Sequence, residues 1–109
     1  MSEIKFYTPK QCEIEGWINS LGFRTQLEVP FGQYCMDIFL PELNWGVEVD
    51  GIGHWKKKDE KRNDYLYKNY GIDCIIHVRV EIEKQEFEQV FKDCLERKYG
   101  KNGIEKGIE

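Results

Sequence analysis

Ile14, Trp17, Ile18 and Leu21 recur at spacings of three and four residues, the period that stacks apolar side chains on one face of an α-helix. Thr8-Pro9-Lys10-Gln11 provides the start of that helix. Thr8 can cap, Pro9 suits the first helical position and Gln11 can close a capping box, while Gly22 is placed to end the helix in a left-handed conformation. Arg24 to Val29 and Gln33 to Leu40 are β-rich runs around Pro30-Phe31-Gly32, turn chemistry compatible with a hairpin. A third strand, Trp45 to Asp50, follows the Pro41 to Asn44 connection. The charged stretch from about Asp59 to Tyr70 reads as a helix, and Ile72 to Val78 as a strand apolar enough to be buried on both faces. Phe87, Val90, Phe91, Cys94 and Leu95 form the buried stripe of a last helix, with Gly100 as its stop.

The resulting order is helix, three strands, helix, strand, helix, which predicts an α/β fold. With 109 residues the chain has room for one core, so residues 1–100 are expected to form a single domain. Residues 101–109, with Gly103 and Gly107 and little to bury, read as a flexible tail. No basic segment leads into an apolar one at the start and no stretch approaches a membrane span, so a soluble cytoplasmic protein is expected. Cys12, Cys35, Cys74 and Cys94 are too scattered for a zinc-ligand run and read as small buried apolar residues.

The net charge of −4 argues against simple electrostatic adhesion to nucleic acid, but it hides an asymmetry. Residues 1–50 carry three basic and eight acidic groups, residues 51–80 seven and four, and residues 81–109 six and eight. A phosphate backbone, if one binds, belongs along the middle segment.

Candidate chemistry lies at the edge of that segment. In a strand Glu48 and Asp50 project to one side and Val47 and Val49 to the other, so two carboxylates stand together. Asp37 interrupts the apolar run Met36, Ile38, Phe39, Leu40 of the neighbouring strand, where an unpaired charge is costly and a cation would remove the cost. Carboxylate oxygens are what Mg²⁺ prefers. On spacing alone, pairing of all three with lysines or hydrogen-bond donors is the commoner outcome. Asp50-Gly51-Ile52-Gly53-His54 then returns a histidine beside the carboxylates, where it could move protons near neutral pH. Lys56, Lys57, Lys58, Lys61 and Arg62 follow. Lysines oppose the dipole at a helix start, so the first three are expected in a loop facing phosphate, with the helix beginning near Asp59.

These residues, taken in order, resemble the PD-(D/E)xK nuclease superfamily, and within it the branch of very-short-patch repair endonucleases and EDxHD homing endonucleases. The matching positions run from Tyr34-Cys35-Met36-Asp37-Ile38-Phe39-Leu40-Pro41-Glu42 through Val47-Glu48-Val49-Asp50-Gly51 to His54, Asp59, Arg62, Leu66 and Gly71. The resemblance implies a restriction-endonuclease-like αβββαβ core followed by a C-terminal helix. It implies Asp37 as the central metal ligand with Glu48 or Asp50 as a second, His54 as a proton-transfer residue, and Asp59 as the acid that supports it, with Asp64 as the alternative. The first-helix glutamate of the family matches Glu13 by its distance to Gly22, with Glu15 as the rival. Three departures stand out. Asp50 occupies the position of the superfamily's usual lysine, the helix has one residue more between Leu66 and Gly71 than the family pattern, which bears on Asp59 against Asp64, and the zinc-binding cysteines of the repair enzymes are absent, so mismatch specificity is not implied.

The function expected on this basis is a metal-dependent endodeoxyribonuclease that hydrolyses DNA phosphodiester bonds with Mg²⁺ or Mn²⁺ on Asp37, Glu48 and Asp50. Lys56, Lys57, Lys58 and Arg62 would contact DNA phosphates. One small domain makes one active site, so a monomer would nick one strand, and double-strand cutting would need a homodimer. The competing expectations are a catalytically inactive module that binds nucleic acid or protein, marked by loss of site carboxylates, and a structure-selective junction resolvase.

Overall fold

The computed structural model describes residues 8–50 and 60–100 in full, and the backbone alone of 56–59 and 101–108. The elements are α1 (Pro9–Ser20), β1 (Gln26–Phe31), β2 (Tyr34–Leu40), β3 (Trp45–Asp50), α2 (Lys56–Tyr70), β4 (Cys74–Arg79) and α3 (Lys84–Ile108). Their order is the one the hydrophobic pattern predicts.

Thr8 caps α1 as expected, its Oγ1 accepting from the Gln11 N–H at 3.2 Å. The Gln11 side chain does not return to close a capping box; it is buried and bonded elsewhere. At the other end Gly22 takes φ 98°, and the N–H groups of Gly22 and Phe23 donate to Asn19 and Ile18 carbonyls at 3.0 and 3.4 Å. Those two bonds satisfy carbonyls that the end of a helix leaves without partners.

The first hairpin differs from expectation. Pro30 and Phe31 lie inside β1, and the turn is Gly32-Gln33, with Phe31 opposite Tyr34. β1 is an edge strand, where a proline need not interrupt a ladder. A two-residue hairpin requires positive φ at a central position, which Gly32 supplies with φ 63°.

The four strands form one sheet in the order β1-β2-β3-β4. The first two pairings are antiparallel and β3 with β4 is parallel, in register from Trp45 opposite Cys74 to Asp50 opposite Arg79. Parallel neighbours cannot be joined by a hairpin, and α2 makes the crossover. That helix starts at Lys56, not near Asp59, so the three lysines expected in a loop form its first turn. The dipole penalty of a lysine at a helix start, about 0.3–1 kcal/mol each, does not prevent it.

The sheet is covered on both faces. Ile14 and Ile18 of α1 and Phe87, Phe91 and Leu95 of α3 pack with Ile38, Leu40, Trp45, Val47, Ile76 and Val78. A smaller cluster joins Leu66 of α2 to Met36, Ile72 and Ile75. Full burial of such side chains contributes about 1.5–3 kcal/mol each. Trp45, at the centre, meets Phe91 edge-on at 5.6 Å and donates its indole N–H to Asp73 at 3.2 Å. Lys98 of α3 reaches the other Asp73 oxygen at 2.9 Å, and this pair holds the Asp73 carboxyl below the usual carboxylate range.

Gly100 breaks α3 with φ 70°, as its position as a stop predicts, but residues beyond the break, expected as a tail, are helical again as far as Ile108. The cysteines also differ from expectation: Cys12 and Cys35 are exposed, and Cys74 and Cys94 half-buried. Burial still pushes the Cys74 thiol up to about 11. Among the described residues no helix is long and apolar enough to cross a membrane.

The hairpin is pinned to α2 at Gly32. A methyl group there would lie 2.7 Å from the Tyr65 hydroxyl and 2.8 Å from that of Tyr70. These two hydroxyls are hydrogen-bonded to each other, which raises the Tyr65 phenol above its ordinary value. Gly32→Ala is therefore expected to destabilise the protein by about 1–2 kcal/mol through its left-handed backbone alone, and further through the clash. In a Tyr65→Phe/Tyr70→Phe background the penalty should fall towards the backbone component. Urea unfolding curves of the variants check this; equal penalties in both backgrounds would remove the hydroxyls from the account.

Candidate functional site

The chemistry-bearing residues of β3 follow from strand alternation. Val47 enters the core beneath α1 and α3, and Glu48 projects to the opposite side, towards α2. Glu48 is only 3% exposed. An ionised carboxylate at that depth needs a counter-charge. Arg62 of α2 provides it: Nη2 donates both to Glu48 Oε1 and to the Cys35 carbonyl of β2, and the guanidinium lies over the Tyr34 ring, 5.6 Å from its centroid. Arg62 Nε is buried and has no hydrogen-bond partner among the described residues.

Asp37 enters from β2. The antiparallel pairing of β2 with β3 runs from Leu40 opposite Trp45 to Ile38 opposite Val47 and stops there. The next step would set Asp37 beside Glu48. Instead the Asp37 carboxylate takes the β3 backbone donor itself, Oδ2 accepting from Val49 N–H at 2.8 Å. A side chain has replaced a strand carbonyl in the ladder, so the strands part and the Asp37 carboxylate sits between the positions of Glu48 and Asp50. The same irregularity divides the core, because Met36 packs with α2 residues whereas Ile38, two positions on, packs with α1 and α3. In a regular strand both would share a face.

β1 is distorted at the same level. Glu28, between the pairs Leu27 with Ile38 and Val29 with Met36, has φ 51°. A left-handed non-glycine residue costs about 1–2 kcal/mol and persists where its surroundings hold it. Gln11 of α1 does so, donating through Nε2 to Glu28 Oε1 at 3.1 Å and to the Asp37 carbonyl at 2.8 Å. The Cys35 thiol donates to Glu28 Oε2 at 3.1 Å.

On the other flank, parallel register sets His77 of β4 opposite Glu48. Its Nδ1 lies 3.3 Å from an Asp50 oxygen and its Nε2 3.0 Å from the Asn63 amide nitrogen of α2. The β4 strand then opens into a cavity of about 400 Å³ lined by His77, Arg79, Glu81, Ile82, Glu86 and Val90. Its lining mixes two glutamates with Arg79 and His77.

The expected site residues are thus distributed as follows. Asp37 accepts from Val49 N–H, Glu48 accepts from Arg62, and an Asp50 oxygen lies 3.3 Å from His77 Nδ1. Arg62, expected on DNA phosphate, is turned inwards to Glu48. Glu13 is exposed and pairs with Lys10 at 3.8 Å, and Glu15 accepts from Thr25 at 3.0 Å. The α1 side chain that reaches β1 and β2 is Gln11. Asp64 is exposed on α2. His54 and the side chains of Lys56, Lys57, Lys58 and Asp59 lie outside the described residues.

Three neighbours of the carboxylates were not anticipated. His77 carried a usable signal, since it interrupts the apolar run Cys74-Ile75-Ile76-Val78 as Asp37 interrupts its own. Gln11 was legible only as a cap, and nothing in the local sequence marks Glu28 as left-handed. No protein-family model matches the chain, and no curated protein matches it.

The divalent cation implied by the resemblance can be set against this donor set. Among the described residues no group of three His, Cys, Asp or Glu side chains forms a metal-holding cluster. Magnesium asks for less: one or two carboxylates, completed by waters and substrate phosphate. Asp37 and Glu48, hard oxygen donors at the parting of two strands, fit that requirement. The guanidinium on Glu48 already stands where positive charge is needed, and Asp50 is directed to His77.

The Gln11 amide predicts its own test. Gln11→Glu replaces a donor to the Glu28 carboxylate and the Asp37 carbonyl with a group that at neutral pH only accepts. Relative to wild type, the variant should lose more stability at pH 7 than at pH 4, where a protonated carboxyl regains a donor. Thermal melts at the two pH values check this, and a loss independent of pH would show that Gln11 contributes shape rather than donation.

Proposed function

We propose that the chain is a divalent-metal-dependent endodeoxyribonuclease with a restriction-endonuclease-like core, acting inside the cell and nicking DNA as a monomer. The observation that carries this reading is the Asp37 carboxylate, inserted where β2 and β3 part and bonded to the N–H of Val49, whose neighbours in the chain are Glu48 and Asp50. A protein that needed only a stable sheet would continue the ladder there with backbone groups; placing a carboxylate in the gap gives up regular pairing for a concentration of negative charge.

In this reading Asp37 and Glu48 hold Mg²⁺ or Mn²⁺. Such an ion supplies charge stabilisation at the scissile phosphate and a nucleophilic water at neutral pH. The remaining work falls to the chain. Gln11 fixes the β2 backbone at Asp37, and Asp50 fixes the ring of His77. His54 assists proton transfer, as the resemblance implies. Lys56, Lys57 and Lys58, in the first turn of α2, contact backbone phosphates and position the duplex without reading its sequence.

One observation favours the second reading, a nuclease-like module that binds without cutting: Glu48 and Asp50 each already face a basic side chain of the protein itself. The two readings separate on supercoiled plasmid. The wild-type protein with Mg²⁺ or Mn²⁺ is expected to convert it to the nicked circle, with no conversion in a chelator. Asp37→Asn keeps an oxygen that can accept from Val49 N–H, so it should melt like wild type yet lose nicking. Plasmid untouched by the folded wild-type protein under both metals, but shifted in a gel, would favour the binding module.

A further inference from the structure

We propose that Arg62 is an exchangeable counter-ion: its guanidinium neutralises Glu48 in the cation-free protein, and it competes with the divalent cation for that carboxylate. This inference rests on the metal reading above and adds to it a residue that sets how tightly the metal is held.

Three observations lead there. Glu48 is buried and paired with Arg62, itself only 19% exposed, so the carboxylate's charge balance depends on that contact. Next, the guanidinium is imperfectly served in this position. Its Nη2 is shared between Glu48 and the Cys35 carbonyl, while Nε is buried without a partner among the described residues. Leaving a buried donor unmade is costly, so Arg62 is held there by Glu48's charge rather than by a complete set of its own bonds. Finally, Asp37 Oδ2 accepts from the N–H of Val49, the residue after Glu48, so a cation held by both carboxylates would have two where Arg62 engages one. An ion pair whose carboxylate is a metal ligand cannot keep both partners at full strength, because guanidinium and metal draw on the same oxygen lone pairs.

The consequence is contrary to that of an ordinary structural ion pair. Removing Arg62 should improve metal binding while weakening the metal-free fold. The test is titration of the purified full chain with Mn²⁺ by calorimetry, alongside thermal melts in chelator and in Mn²⁺. Arg62→Met is expected to bind Mn²⁺ about tenfold more tightly than wild type, equivalent to ~1.4 kcal/mol. It should melt below wild type in chelator and recover much of the difference in Mn²⁺. Lys61→Met removes an equal charge from the adjacent, exposed position and should leave Mn²⁺ affinity near wild type. Arg62→Lys, which keeps the charge but not the planar fork, should show a smaller tightening and serves if Arg62→Met does not fold in chelator. Unchanged or weaker Mn²⁺ binding in both Arg62 variants, or equal tightening in Lys61→Met, would overturn the proposal while leaving the metal reading intact. Absence of Mn²⁺ binding by wild type and every variant would overturn both.

Discussion

A buried carboxylate is tolerable only with a counter-charge, and the contact between Glu48 and Arg62 is where this fold meets that constraint. It brings α2 onto the sheet through a charge as well as through Leu66, and because Nη2 also holds the Cys35 carbonyl it fastens the crossover helix to two strands at once. Breaking such a pair from one side typically costs about 3–5 kcal/mol, since the remaining charge stays buried. Replacing both partners with apolar side chains is often neutral or stabilising, so stability alone does not account for a charged pair at this position. The proposed metal role would give that charge a purpose beyond stability.

The surroundings of Asp37 follow the same logic. The β2 and β3 ladder ends one residue short of it, its carboxylate bonds Val49 N–H, and β1 answers with a left-handed Glu28 held by Gln11. These departures from regular sheet geometry lie at one level of the molecule, on three adjacent strands and the helix behind them. Local strain of this kind persists where a site needs it. Beside it His77 and Asn63 join β4 and α2, so the carboxylates are framed by residues from α1, all four strands and α2.

Most of the architecture could be read from the sequence because burial enforces period. The α1 face, the alternation in β3 and the stripe Phe87, Phe91, Leu95 are all present as the apolar pattern predicts. Boundaries were less legible where two weak preferences compete. Pro30 suggests a turn, but an edge strand admits it; Lys56 suggests a loop, but α2 begins there. At the candidate site, interruption of an apolar run marks Asp37, strand alternation marks Glu48 and Asp50, and His77 interrupts the apolar run of β4 in the same way as Asp37. The partners were not legible. That Arg62 would turn inwards to Glu48, and that Gln11 rather than Glu13 or Glu15 would reach the strands, depends on how α1 and α2 dock on the sheet, which local pattern does not encode.

In the proposed function, Asp37 and Glu48 together hold a divalent cation at the parting of β2 and β3. The most direct measurement is a crystal structure of the wild-type chain grown with Mn²⁺, with anomalous difference maps calculated from data collected at the manganese edge. The account predicts a peak between the Asp37 and Glu48 carboxylates, with the Arg62 guanidinium moved off Glu48. Well-ordered Asp37 and Glu48 with no peak between them, and Arg62 still on Glu48 at saturating Mn²⁺, would contradict it.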